Sequence, residues 1–212
     1  MKPQPLPVRL TIPALQSYVR EVAAARGYTR DLNEIFILTV EELGELAAEF
    51  KNQVFYPDRF NPVNLAFEIA DILLYLLDLA NAFHIDLMRS WVVHERENDE
   101  RFADRRRGQP RASPIQPDLD LSELAEHLEI KRQERGFEDT PERLMILLTE
   151  EIGEIATEIR KHWKGLADPH SLAYEIIDAL TYLLRLARIS GVDLEHAVGE
   201  KERQNADRTW AY

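Results

Sequence analysis

Glu41-Glu42-Leu43-Gly44-Glu45 returns as Glu150-Glu151-Ile152-Gly153-Glu154, an offset of 109, and Glu68-Ile69-Ala70-Asp71 returns as Glu175-Ile176-Ile177-Asp178, an offset of 107. Outward from these anchors the register holds. Leu15 to Glu45 aligns with Leu124 to Glu154, and Arg26-Gly27-Tyr28 aligns with Arg135-Gly136-Phe137. Past the change of offset, Tyr75 pairs with Tyr182, Asp86-Leu87 with Asp193-Leu194, and Asn98 and Arg101 with Asn205 and Arg208. A fixed-period self-similarity of this length is the mark of a duplicated structural unit, and the slip falls between motifs, where a loop absorbs it. The reading places a first unit at 10–103, a linker at 104–118 and a second unit at 119–212. The linker carries Arg105-Arg106-Arg107-Gly108 and the prolines Pro110, Pro114 and Pro117, which erase helical periodicity. Its arginine run reads as solvated linker in an acidic chain.

Within each unit, apolar residues recur at three- and four-residue spacing and strict alternation never persists, so the fold class is all-α. Four helices are expected per unit. In the first they run about Ala14 to Ala25, ended by Gly27, then Leu32 to Asn52, Val63 to Phe83 and Leu87 to Phe102, with a Tyr56-Pro57-Asp58 loop between the second and third. In the second unit Asp139-Thr140-Pro141-Glu142 is a helix start with proline at an early position. The second and third helices are too apolar on their inner faces to stand alone, so each unit packs as an antiparallel bundle.

The chemistry sits in carboxylates. Glu42 and Glu45 share a face of the second helix, Glu68 and Asp71 a face of the third, and Glu151, Glu154, Glu175 and Asp178 repeat the set. Like charges at this spacing repel by a few tenths of a kcal/mol per pair. The third helix sharpens the point, because Glu68 and Asp71 interrupt Leu65-Ala66-Phe67 and Ile72-Leu73-Leu74, and no Lys or Arg occurs from Phe60 to Met88. A charged, unpaired carboxylate in such a segment is costly, and a bound hard cation resolves it. Carboxylates without histidine or cysteine favour Mg²⁺ or Mn²⁺ over zinc, and the absence of Glu-x-x-His separates the pattern from di-iron bundles.

The series Glu-Glu-x-x-Glu, a gap of some twenty residues, then Glu-x-x-Asp and an apolar helix resembles the signature of the MazG-like all-α nucleoside triphosphate pyrophosphohydrolases, in both repeats. The superfamily includes dimeric dUTPases, dCTP pyrophosphatases and phosphoribosyl-ATP enzymes. The resemblance implies two tandem helical-bundle modules forming an intramolecular pseudo-dimer, since single modules of the family pair. It implies that Glu42, Glu45, Glu68 and Asp71, and separately Glu151, Glu154, Glu175 and Asp178, hold Mg²⁺. It also implies a downstream phosphate-binding series, intact as Lys201, Asn205 and Arg208 in the second unit. The first unit keeps Asn98 and Arg101 but has His94 at the lysine position, which places its competence below that of the second. Glu41 and Glu150, just before the implied ligands, are candidates to position or deprotonate the attacking water, with a solvent-facing role the alternative.

The implied reaction is hydrolysis of the α–β phosphoanhydride of canonical or non-canonical (d)NTPs to monophosphate and pyrophosphate, a nucleotide-pool house-cleaning activity. The alternatives are a dUTPase or dCTP pyrophosphatase with deoxypyrimidine preference and, in another class, a non-catalytic helical nucleotide-binding or scaffold protein. Phe55, Tyr56 and Trp163 are candidates to read the base, although aromatics at helix ends more often pack. A net charge of -12 argues against broad nucleic-acid binding. The lack of cysteine excludes disulfides and thiolate chemistry. With no signal-like N-terminus and no apolar span, a cytoplasmic location without membrane contact is expected. A homodimer of the tandem chain is a further expectation.

Overall fold

A computed structural model describes residues 4–105 and 113–207. Their α-helices are α1 (Ile12–Arg26), α2 (Leu32–Phe55), α3 (Pro62–Ala82), α4 (Leu87–Arg101), α5 (Leu121–Arg135), α6 (Pro141–His162), α7 (Pro169–Ile189) and α8 (Leu194–Asp207). The protein is all-α, as the periodicity requires. Among the described residues the one β-type contact is an isolated bridge between Thr11 and Asp120, and no helix is long and apolar enough to cross a membrane.

Local chemistry sets the helix ends. Thr11 caps α1 by accepting from the Ala14 amide, and Asp120 caps α5 in a reciprocal box with Glu123. Both helices stop at glycines in the left-handed region, Gly27 at φ 72° and Gly136 at φ 66°, a conformation that costs a residue with a Cβ. Prolines early in α3, α6 and α7 occupy positions where the missing N–H is harmless.

Helices α2 and α3 form one long hairpin and α6 and α7 the other, and α3 lies against α7 at the centre. The buried stripe of α3, including Ile69, Ile72, Leu73, Leu76 and Leu77, and that of α7, including Ile176, Ile177, Leu180 and Leu183, are fully enclosed. Each such side chain contributes about 1.5–3 kcal/mol on burial, so this central seam dominates the apolar stabilisation.

The outer helices cross between halves. α8 packs along α3, and α4 packs along α7. Polar contacts follow the same exchange. Tyr18 on α1 donates to Glu202 on α8 at 2.5 Å, and Arg26 reaches the same carboxylate at 3.1 Å. In the matching place, His127 on α5 lies 2.6 Å from Glu95 on α4, and Lys131 donates to Asp99 at 2.8 Å. The starts of α1 and α5 are joined as well, with the Leu121 amide donating to the Leu10 carbonyl at 3.1 Å and Arg9 paired with Asp120 and Glu123.

The linker departs from a simple solvated tether. Ile115 is buried in the core and its amide donates to Glu95 at 2.9 Å, because an apolar residue between two prolines can still fill a gap in the α4–α5 seam. Arg105 lies over the rings of Phe102 and Phe137. Arg106, Arg107, Gly108 and Pro110 fall outside the described residues.

Lys131 has a side chain only 2% exposed and faces Glu95, Asp99 and Glu134. Removing one partner of a buried ionic group strands the others without solvent. Lys131→Ala should therefore cost about 3–5 kcal/mol in urea unfolding. Arg188→Ala, at an exposed pair with Glu126, should cost under about 1 kcal/mol.

Candidate active site

α2 and α3 bring Glu42, Glu68 and Asp71 together, with one carboxylate oxygen from each within 4.8 Å of the others. Helical spacing accounts for the geometry: Glu68 and Asp71, three residues apart, face Glu42 across the hairpin. Glu68 and Asp71 are buried and Glu42 is half-buried. Burial pushes Glu42 up to about 7, helped by a hydrogen bond in which it donates its proton to Glu68. Glu68 is also raised, by burial first, with Lys201 opposing the rise and Asp71 adding to it. Glu45 is exposed and lies outside the close group, though its charge acts on both Glu42 and Glu68.

In the second hairpin the close group is Glu151, Glu154 and Glu175, again within 4.8 Å. Burial, followed by the charges of Asp178 and Glu175, lifts Glu151 to about 8. Glu175 rises to about 7 through burial and Glu154. Asp178 stands outside this group because it is engaged by a ring: His94 Nε2 lies 3.0 Å from Asp178 Oδ1 and 3.1 Å from the Asn98 amide. The His94 ring packs on Tyr174 with centroids 4.2 Å apart.

These contacts correct the assignment of the downstream series. Lys201 was expected to serve the second carboxylate set. It instead forms an ion pair with Asp71 of the first and lies 5.5 Å from the Phe67 ring. Asn205, also on α8, lines the cavity beside Asp71. The physical reason is the seating of α8 along α3, which carries the lysine helix to the opposite half. By the same exchange, His94 and Asn98 meet the second set, so the first set is the one with a lysine. Arg101 lies over Phe102 and is exposed, away from both groups. Arg208 falls outside the described residues. Glu41 and Glu150 are exposed, one position from Glu42 and Glu151, and neither belongs to the close groups.

Next to the first cluster, and sharing Asp71 with it, is a cavity of about 80 Å³. Its apolar wall includes Val19, Val22 and Ala23 of α1, Ile35 and Leu38 of α2 and Leu74 of α3, and Tyr18, Tyr28 and Tyr75 add rings. Sequence reasoning missed these tyrosines. Phe55 and Trp163, considered there, are 71% and 67% exposed and lie elsewhere, and the Trp163 indole donates to Asn33 at 2.9 Å. The missed signal was the apolar stripe of α1, which has no charge between Val22 and Ala25 yet faces an acidic cluster.

The donor set fits a hard divalent cation. Three carboxylates converge with oxygen donors alone, and burial first, then their mutual charge, raises Glu42 and Glu68. Such an arrangement can bind a cation and, through it and Lys201, a polyanion next to an apolar cavity.

Comparison with known proteins agrees with this chemistry. Residues 139–208, 70 of the 212 in the chain, match the family model described as the MazG nucleotide pyrophosphohydrolase domain, which supports a function of the nucleotide pyrophosphohydrolase type. Neither the curated proteins nor the solved structures gave a match.

The raised carboxylates make stability depend on pH and metal. The ordinary value is 4.5, and Glu42, Glu151 and Glu175 stand at about 7, 8 and 7 in the fold. The folded state thus keeps protons that the unfolded chain releases. Their contribution is complete below pH 4.5 and is lost as pH rises through 7 to 8. In chelator at constant ionic strength, the melting temperature should fall between pH 5 and pH 8. Added Mg²⁺ should restore it more at pH 8 than at pH 6, whereas an equal response at both would contradict the placement of these groups.

Proposed function

We propose, with the MazG nucleotide pyrophosphohydrolase domain of residues 139–208 as premise, that this protein hydrolyses nucleoside triphosphates to monophosphate and pyrophosphate. The proposed site is the cluster of Glu42, Glu68 and Asp71, whose carboxylates lie outside the matched residues; the match reaches the site through Lys201 and Asn205 of α8. The observation that carries the reading is the convergence on that cluster of Lys201 from α8 and of an apolar cavity ringed by tyrosines. Cation, phosphate and base thereby each have a neighbour of suitable chemistry.

Glu42, Glu68 and Asp71 would hold the divalent cation, Mg²⁺ or Mn²⁺, with Glu45 at the rim. Such a cation, when bound, offsets phosphate charge and acidifies a coordinated water. Lys201 neutralises Asp71 and adds positive charge on the phosphate side. Asn205 supplies an amide at the junction of phosphate and cavity. In the overall change a water oxygen bonds to the α-phosphorus while the bond from that phosphorus to the α–β bridging oxygen breaks. Pyrophosphate leaves, and the water's proton passes to a carboxylate, with exposed Glu41 beside Glu42 the candidate. No covalent intermediate is required.

The size of the cavity favours a pyrimidine base over a purine. A water needs roughly 10–15 Å³ on this measure, so about 80 Å³ corresponds to roughly five to eight waters. That is room for one pyrimidine ring and too little for a purine without movement of the tyrosines.

A panel of canonical, deoxy and modified triphosphates with Mg²⁺, assayed for pyrophosphate and monophosphate, tests the proposal. Pyrimidine triphosphates should lead. Glu68→Ala should lower kcat/KM by more than about 10²-fold, in the range seen when one group stabilising transition-state charge is lost. Lys201→Ala should lower it roughly 10- to 100-fold, as for a residue that orients a metal ligand. Absence of Mg²⁺-dependent turnover on every nucleotide would sink the proposal and leave a non-catalytic helical protein.

A further inference from the structure

The two carboxylate clusters are alike, but the spaces beside them are not. Following the repeat from the first cavity into the second half, Val22 becomes Lys131, Ala23 becomes Arg132, Leu74 becomes Thr181 and Tyr18 becomes His127. An apolar wall is replaced by a cationic one. The first of these replacements points inward: the Lys131 side chain is 2% exposed, with Nζ 2.8 Å from Asp99, 3.7 Å from Glu95 and 4.0 Å from Glu134.

Arg132 is held by Glu129 through two bonds of 2.8 and 2.7 Å and donates to the Phe137 carbonyl. Phe137 is the counterpart of the cavity residue Tyr28. A third change concerns an ion pair. In the first half Arg30 lies 2.7 Å from Asp78, at the outer end of the cavity. In the second half Asp139 stands where Arg30 stood and Arg185 where Asp78 stood, with Arg185 Nε donating to Asp139 at 2.8 Å. The exchange conserves the pair but lays the guanidinium 5.6 Å from the Tyr182 ring, the counterpart of Tyr75.

From these contacts we infer that the chain binds one nucleotide, at the Glu42, Glu68 and Asp71 cluster, and that the second cluster admits no nucleoside because Lys131 and Arg185 occupy the place of the first cavity. Neither of these side chains can step aside cheaply. Moving Lys131 out would leave Glu95 and Asp99 buried with a partner lost, and moving Arg185 breaks its buried pair with Asp139. His94 takes the place beside Asp178 that Lys201 takes beside Asp71, so the second cluster has an imidazole where the first has an ammonium group. The inference rests on the nucleotide pyrophosphohydrolase reading and deepens it: one half supplies the metal ligands and cavity, and the other supplies α8 and a closed counterpart.

The experiment is calorimetric titration of the full chain, in Mg²⁺, with a non-hydrolysable α,β-imido deoxyuridine triphosphate and its deoxyguanosine equivalent. It is run on the wild type, Leu38→Trp and Leu147→Trp. Leu38 lines the first cavity and Leu147 is its counterpart, and both are half-buried. The expected result is one nucleotide per chain, an affinity at least tenfold weaker in Leu38→Trp, and an affinity within twofold of wild type in Leu147→Trp. Two nucleotides per wild-type chain would overturn the inference and leave the enzymatic reading standing. So would one nucleotide whose affinity falls in Leu147→Trp and not in Leu38→Trp. If neither analogue binds the wild type and no triphosphate is hydrolysed, the reading and the inference fall together.

Discussion

Asp71 lies inside the most apolar helix of the molecule, and the cation that reaches it belongs to the other half of the chain. A buried carboxylate beside two others is a net cost until positive charge is brought to it. Lys201 brings one such charge from α8, and a divalent ion would bring more. The seating of α8 along α3 therefore joins folding and function in one contact. It closes the core on that side, positions the lysine, and places Glu202 under Tyr18 and Arg26, so that the wall of the cavity is fastened from the same helix. If α8 packed beside its own hairpin instead, the first cluster would have neither a cation nor a fourth wall.

The same exchange explains why acidic residues are so numerous in the interior. Glu95, Asp99 and Glu202 are all buried, and each faces a cation or ring from an opposing helix. Pairs of this kind contribute little against well-packed apolar alternatives, but removing one member is expensive. They act as register pins: a helix that slid by one turn along the apolar seam would strand several charges at once. The central α3–α7 contact, built from side chains that tolerate sliding, has no such selectivity by itself.

The helices, their approximate limits and the four-plus-four organisation were legible because apolar periodicity and capping residues are local properties. So were Glu42, Glu68, Glu151 and Glu175, since acidic residues inside an apolar helix are conspicuous in one dimension. What the residues could not reveal was which half each downstream helix serves. Lys201 follows Asp178 in the chain and adjoins Asp71 in space, and only the packing of α8 across α3 decides between them. Tyr18 and Tyr28 were overlooked for a related reason. They belong to the helix before the acidic motif, and nothing local distinguishes an aromatic residue lining a cavity from one filling a core. Ile115 shows the converse, where composition indicated a linker and a single apolar side chain became part of the seam.

Two similar halves in one chain have a physical freedom that a pair of identical chains lacks. In a symmetric pair every substitution appears twice, so a lysine in one cavity is a lysine in both, and the only pockets available are two open or two closed. In a single chain Val22 and Lys131 are independent, as are Asp78 and Arg185. The charge-exchanged pairs Arg30 with Asp78 and Asp139 with Arg185 mark that independence: each half retains an ion pair at the same point of the fold while its orientation is free to differ. On the one-nucleotide proposal, a half that holds no nucleotide is free to carry a buried ionic cluster at the α4–α5 seam in place of an apolar cavity. Its α8 meanwhile remains constrained by the site it completes on the other side. The divergence is thus confined to walls that face one pocket only. The helices facing both halves, α3 and α7, keep their apolar stripes.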